Sequence, residues 1–129
     1  KNAVSSSASA EEYEGFFSDM LMEAEQVIHI SASSGIGKSY ETAVKAAESF
    51  SNVTVVDSGQ ISSGMGIVVM TAAQMVQEGA SHDEVINAVD EIKHKIVTSY
   101  IMPSVENMYR NGRVSLKIRN ICRLLYPKQ

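Results

Sequence analysis

The chain has 129 residues, of which 44% are apolar and 20% charged, with a formal net charge of −4. That size and balance describe one soluble globular domain with enough residues for a real core. The acidic balance argues against nucleic acid and against an anionic membrane surface as partners, because both favour a basic face.

Taken in chain order, Ser9 followed by Glu12 makes a capping box, so a helix is expected from about Ala10. Phe16, Phe17, Met20, Leu21 and Ala24 then share one helical face. "QVIHIS" is a short β-branched run and reads as a buried strand. "GKSYETAVKAAESF" carries Ala43, Ala46, Ala47 and Phe50 at helical spacing. "NVTVVDSG" is a second strand ending in Asp57 and a turn, where Asp57 is expected to accept backbone N–H groups. "SSGMGIVVMTAAQMVQEG" is a long apolar helix with Gly79 placed to end it. Ser81 and Glu84 form a second capping box, opening a helix to about Ile96. "TSYIM" reads as a third strand stopped by Pro103, "YRNGRVS" as a turn, and "LKIRNICRLL" as a last amphipathic stretch.

Strands separated by helices mean βαβ units. The expected fold is therefore α/β, a mainly parallel sheet with helices on its faces. Ligands in such sheets bind beyond the carboxyl ends of the strands. Here those ends carry "SASSG", "DSGQISSG" and "MPSVE", rich in serine and glycine. Residues 32–39 read A-S-S-G-I-G-K-S, close to the G-x-x-x-x-G-K-[ST] of a nucleotide-binding P-loop. Gly37, Lys38 and Ser39 fit, but Ala32 stands where a glycine is required. The other reading is a serine-lined turn. There Ser33, Ser34 and the following helix N-terminus would favour an anion, or would simply cap that helix.

The remaining chemistry is sparse. His29 lies inside a strand and reads as structural, while His82 and His94 read as solvated helix residues. The three histidines lack metal-ligand spacing, and no nucleophile–base arrangement is readable. No metal, no cofactor and no catalysis are therefore expected. Cys122, the single cysteine, sits in an apolar run and reads as a buried structural thiol. A lone cysteine excludes an internal disulfide framework and fits a reducing, cytoplasmic compartment. No apolar run approaches the ~18 residues of a spanning helix, and no signal peptide opens the chain. The seven methionines read as core filler, although adaptable apolar surface also suits varied acyl chains.

Four stretches in order resemble the DegV family. "ISASSGIGKSYETA" resembles its I-x-I-S-S-x-L-S-G-T-Y-x-x-A segment, with Ser33 and Ser34 at the paired serines. "VVDSGQISSGMGIVVMTAAQMVQEG" resembles V-x-D-S…S-x-G-x-G and its apolar helix, and "NMYRNGRVS" the segment ending G-G-R-I-S. "SSSAS" at residues 5–9 stands at the family's T-S-Q-P-S. The resemblance runs from about Val4 to about Leu125 and implies a bacterial fatty-acid-binding protein, a carrier that is not itself an enzyme. It implies that Ser34, Ser33 and Ser5 hold the ligand carboxylate, with Arg113 facing the same polar end. Met65, Ile67 and Met70 of the apolar helix would line the acyl path. A fatty acid kinase subunit is the partner in some members.

The sequence departs from the pattern at Gly37-Lys38 for S-G, at S-S-S-A-S for T-S-Q-P-S, and at Asn111 for the first glycine of G-G-R. It covers about the middle half of the family's length. Residues 1–129 are therefore expected to be a single truncated α/β domain, a fragment or one domain of a longer protein, whose open inter-domain face would favour a homodimer. Two alternatives stand beside lipid binding. One is a ligand-free sensor or interaction domain, fused to a signalling module; the other is the P-loop-like nucleotide binder at residues 32–39.

Overall fold

The computed structural model describes residues 6–101 and 104–125, which belong to two compact units, residues 1–98 and residues 99–129. The first unit contains α1 (Ala10–Leu21), β1 (Val27–Ser31), α2 (Ser39–Ala47), β2 (Val53–Asp57), α3 (Ser62–Gln77) and α4 (His82–Lys93). β1 and β2 pair in parallel, Val27 opposite Val53 and Ser31 opposite Asp57, with α2 as the crossover. The expected α/β class with a parallel sheet is what the structure has.

Alternation along the strands assigns each helix pair to one face. Val53 and Val55 pack with Phe17, Ala43, Ala46 and Ala47 of α1 and α2. Ile28, Ile30 and Val56 pack with Val68, Ala72, Val85 and Val89 of α3 and α4. The small residues of α2 let that helix lie close to the strands, while Phe17 fills the space beside it with no exposure. His29 lies on the α1 side, its ring 5.4 Å from those of Tyr13 and Phe17. That bears out a structural histidine.

The helix boundaries follow the local signals. Both capping boxes form, Ser9 with Glu12 and Ser81 with Glu84. Gly79 takes φ +85°, and the Ala80 N–H reaches the Met75 carbonyl at 2.9 Å, which closes α3. α4 stops at Lys93, three residues short of the expected Ile96. Phe16 remains 48% exposed and Ala24 lies beyond the end of α1, so the inward face is narrower than the spacing predicts.

Other readings are corrected by the structure. Residues 98–101 form no strand; Met102, the last residue of that expected strand, lies outside the described residues. The Thr98 hydroxyl instead donates to Gln60 Oε1 at 2.8 Å, while Gln60 Nε2 donates to the carbonyls of Lys93 and Ile96. β propensity acts only where a neighbouring strand is there to pair, and here a side chain holds Thr98. His82 is not solvated. It is only partly exposed, and its Nε2 lies 2.9 Å from Thr54 Oγ1.

The second unit contains α5 (Glu106–Arg110) and α6 (Leu116–Leu125). The turn between them places its left-handed residue at Gly112, φ +70°, leaving Asn111 in ordinary backbone. Glu106 faces Arg110, Arg119 and Arg123 at 3.7, 3.3 and 3.8 Å. The Arg119 guanidinium lies 4.5 Å from the Tyr109 ring centroid. Arg119 Nε meets Glu106 as a charge contact without hydrogen-bond alignment. Cys122 is half-buried rather than buried, because no described residue of α6 is buried.

Candidate functional site

The carboxyl ends of β1 and β2 release two turns side by side, residues 32–38 and 58–61. Asp57 joins them. Its Oδ1 accepts the N–H of Gly59 at 2.9 Å and of Ser34 at 3.2 Å, and its Oδ2 accepts the Ser34 hydroxyl at 2.5 Å. Burial pushes the Asp57 carboxyl up. The Ser34 hydroxyl bond, the Gly59 and Ser34 amides and the Lys93 charge together outweigh it, so the group titrates below its usual range and is an anion at neutral pH.

The first turn uses most of its own donors. Ser33 N–H goes to the Gln60 carbonyl (2.9 Å), Gly35 N–H to Ser33 Oγ (3.3 Å) and Ile36 N–H to the Ser33 carbonyl (3.0 Å). With Ser34 N–H on Asp57, four consecutive amides are engaged inside the protein. A P-loop presents such amides outward to phosphate. This turn does not, and Asp57, which a magnesium site would need, is tied to Ser34 instead. Lys38 stands exposed as the N-cap residue of α2 and caps nothing with its side chain.

Beneath these turns, Ser58 is fully buried and its hydroxyl donates to the Gln60 carbonyl at 3.1 Å. Ser31 is 2% exposed, and its Oγ has no hydrogen-bond partner among the described residues. Ser62 opens α3 at φ +52°, the one non-glycine residue described with a positive φ. Strain of that kind costs about 1–3 kcal/mol and gathers at functional edges.

The structure thus brings Ser33 and Ser34 together with Asp57. Arg113 belongs to the second unit, where its N–H bonds the Met108 carbonyl at 2.9 Å. Ser5 lies outside the described residues. On α3, Met65 is half-buried, Ile67 is 49% exposed and Met70 is 73% exposed. Ile67 and Met70 border a shallow groove with Thr71 and Gln74. A second groove, about 540 Å³, follows β1 between Ile28, Ile30, Val69 and Val76.

Sequence reading missed one further constellation, Thr54, His82 and Asp83. His82 Nε2 meets the Thr54 hydroxyl, and its Nδ1 lies 3.2 Å from Asp83 Oδ1. Thr54 is the second residue of β2 and Asp57 its last, so this chain of bonds is at the opposite end of the strand from Ser34. It fastens the start of α4 to β2. No local signal links residues 28 positions apart.

The DegV family, described as "Uncharacterised protein, DegV family", matches residues 1–126. A DegV domain-containing protein of Caldanaerobacter subterraneus subsp. tengcongensis, TTE1491, is 32% identical over 117 residues, 89% of this chain and 42% of the relative. A solved structure from Thermus thermophilus, described as fatty acid binding of a DegV family protein, superposes with a TM-score of 0.75 at 26% identity. It covers 84% of this chain and 39% of that one. A DegV family protein of Corynebacterium glutamicum shares the fold, with a TM-score of 0.79 at 21% identity over 92% of this chain and 46% of that one. The chain spans about 40% of the length of the curated relatives it matches.

Proposed function

The chain belongs to the DegV family, and we propose that its serine-lined strand ends bind the carboxyl group of a fatty acid or related acyl ligand. The observation that carries this reading is the meeting of Ser33, Ser34 and Asp57 at the carboxyl edge of a parallel sheet, where such folds bind ligands. The Thermus relative, described by its fatty acid binding, supports the ligand class. In this reading Ser34 and Ser33 meet the head group; Ser5 and Arg113 are the further residues that the family resemblance assigns to the ligand carboxylate. Met65, Ile67 and Met70 of α3 lie along the acyl chain. The role is that of a binding or carrier module without chemistry of its own. A fatty acid kinase subunit and a second copy of the chain are the partners that the same reading assigns.

Mass spectrometry of the purified protein, native and then denatured and extracted, tests the reading. Near-stoichiometric fatty acid that is lost in Ser34→Ala is the expected result. A folded wild-type chain that carries no acyl species, and takes none up when offered, would overturn it.

A further inference from the structure

A serine hydroxyl has one proton to donate. That of Ser34 is already engaged, because it points at Asp57 Oδ2 over 2.5 Å while the Ser34 N–H holds Oδ1 of the same carboxylate. What Ser34 Oγ still offers to a ligand is its lone pairs. The amides of residues 33 to 36 all end on protein acceptors, so the donors left at this edge are the Ser33 hydroxyl, which accepts from the Gly35 N–H, and the first N–H groups of α2. Ionised, Asp57 would also repel a second carboxylate placed against Ser34. Against Ser34 itself a carboxylate is therefore the wrong complement, and a head group that brings its own proton is the right one.

We propose that Asp57 fixes Ser34 as a hydrogen-bond acceptor, so that the acyl ligand is held as its neutral carboxylic acid. The proposal rests on the acyl-ligand reading above and adds the protonation state that the site selects. Asp57 acts as a positioning residue, through Ser34. At neutral pH a free fatty acid is ionised, so binding takes up one proton from solution. That proton becomes the ligand O–H donating to Ser34 Oγ. The charged groups around Asp57 are few. Lys93 of α4 acts on it but is itself paired with Asp90 at 2.6 Å. On β1, His29 lies on the same face two residues before Ser31. The turn and the start of α2 contribute Lys38 and Glu41. Near and above about pH 7 Asp57 is an anion, and His29, held below its usual range by burial, is neutral. Neither titrates in the window that tests the idea.

The test is calorimetric titration with decanoic acid, a short and monomeric probe, from about pH 7 to about pH 8.5, in two buffers of different ionisation enthalpy. The wild-type Kd is expected to rise about tenfold per pH unit, with one proton taken up per ligand. In Asp57→Asn the carboxamide can donate to Ser34 Oγ and free its proton, so the pH dependence should flatten. A wild-type Kd independent of pH, without proton uptake, overturns the proposal and points to a bound carboxylate, with Lys38 as the cation on the same turn. The wild-type slope decides this even if Asp57→Asn fails to fold. Absence of binding at every pH overturns the acyl-ligand reading itself, and with it this proposal.

Discussion

Phe17, Val68, Val85 and Val89 are completely buried in the first unit, on both faces of a two-stranded sheet. In α6 of the second unit, Leu116, Ile118, Ile121, Leu124 and Leu125 are all more than half exposed. The contrast is between two sources of order. The first unit gains from burial, about 25 cal/mol per Å² of apolar surface. The described part of the second is held by a short helix pair, an arginine cluster on Glu106 and one ring contact. Exposed ion pairs are worth about 0–1 kcal/mol each, and helices below about 12–15 residues are marginal alone. The serine-lined strand ends thus stand on the part with a core, and an apolar helix face stays open on the other.

The contrast can be broken most directly at Phe17. Phe17→Ala should cost about 3–5 kcal/mol in urea unfolding followed by circular dichroism, whereas Leu124→Ala should stay within about 0.5 kcal/mol. Equal losses would erase the distinction between the units.

The next effect is one of pH. Burial lowers the His29 pKa from 6.5, so the fold favours the neutral ring. Its contribution is present above the unfolded value and is lost as pH falls below about 6.5 toward the folded value. Thermal unfolding of the wild type and of His29→Phe, compared across that range, should show a pH dependence in the first that is weakened in the second. Parallel curves would mean that the ring is solvated.

Ser31→Ala removes a buried hydroxyl that has no partner among the described residues. It should leave the unliganded protein unchanged or more stable by up to about 1 kcal/mol. A clear loss would reveal a bond or a water at that atom. The smallest effect belongs to Glu106→Gln. It should lower the order of residues 106–125 by about 0.5 kcal/mol at low salt, read from amide exchange, and by less as salt is added.

Much of the fold was legible because its signals are local. Ser9 with Glu12, Ser81 with Glu84, and Gly79 each act within one helical turn, and each sets an end where it was expected. The parallel sheet followed from the alternation of elements. What escaped depends on partners far along the chain. "TSYIM" had strand composition, but Gln60 claims Thr98. His82 looked solvated until Thr54 met it across 28 residues. At the strand ends, the serine pair and the expectation that Asp57 would take backbone N–H groups could be read in advance. That Asp57 also takes the Ser34 hydroxyl, 23 residues away, could not, and this bond decides what the serine offers to a ligand.

The uniform register of the sheet has a kinetic consequence. From Val27 with Val53 to Ser31 with Asp57, every pair joins residues 26 positions apart. No pair can form early and draw the rest in by short steps, as in a hairpin. The whole ladder waits on a single closure, whose entropy is lost before any strand contact repays it. α2 is the element that shortens this search, since it occupies the span between the strands and packs Ala43, Ala46 and Ala47 toward them. β1–α2–β2 is therefore the expected folding nucleus of the first unit. Changes at Ala46 should slow folding, while changes in α4 should mainly hasten unfolding.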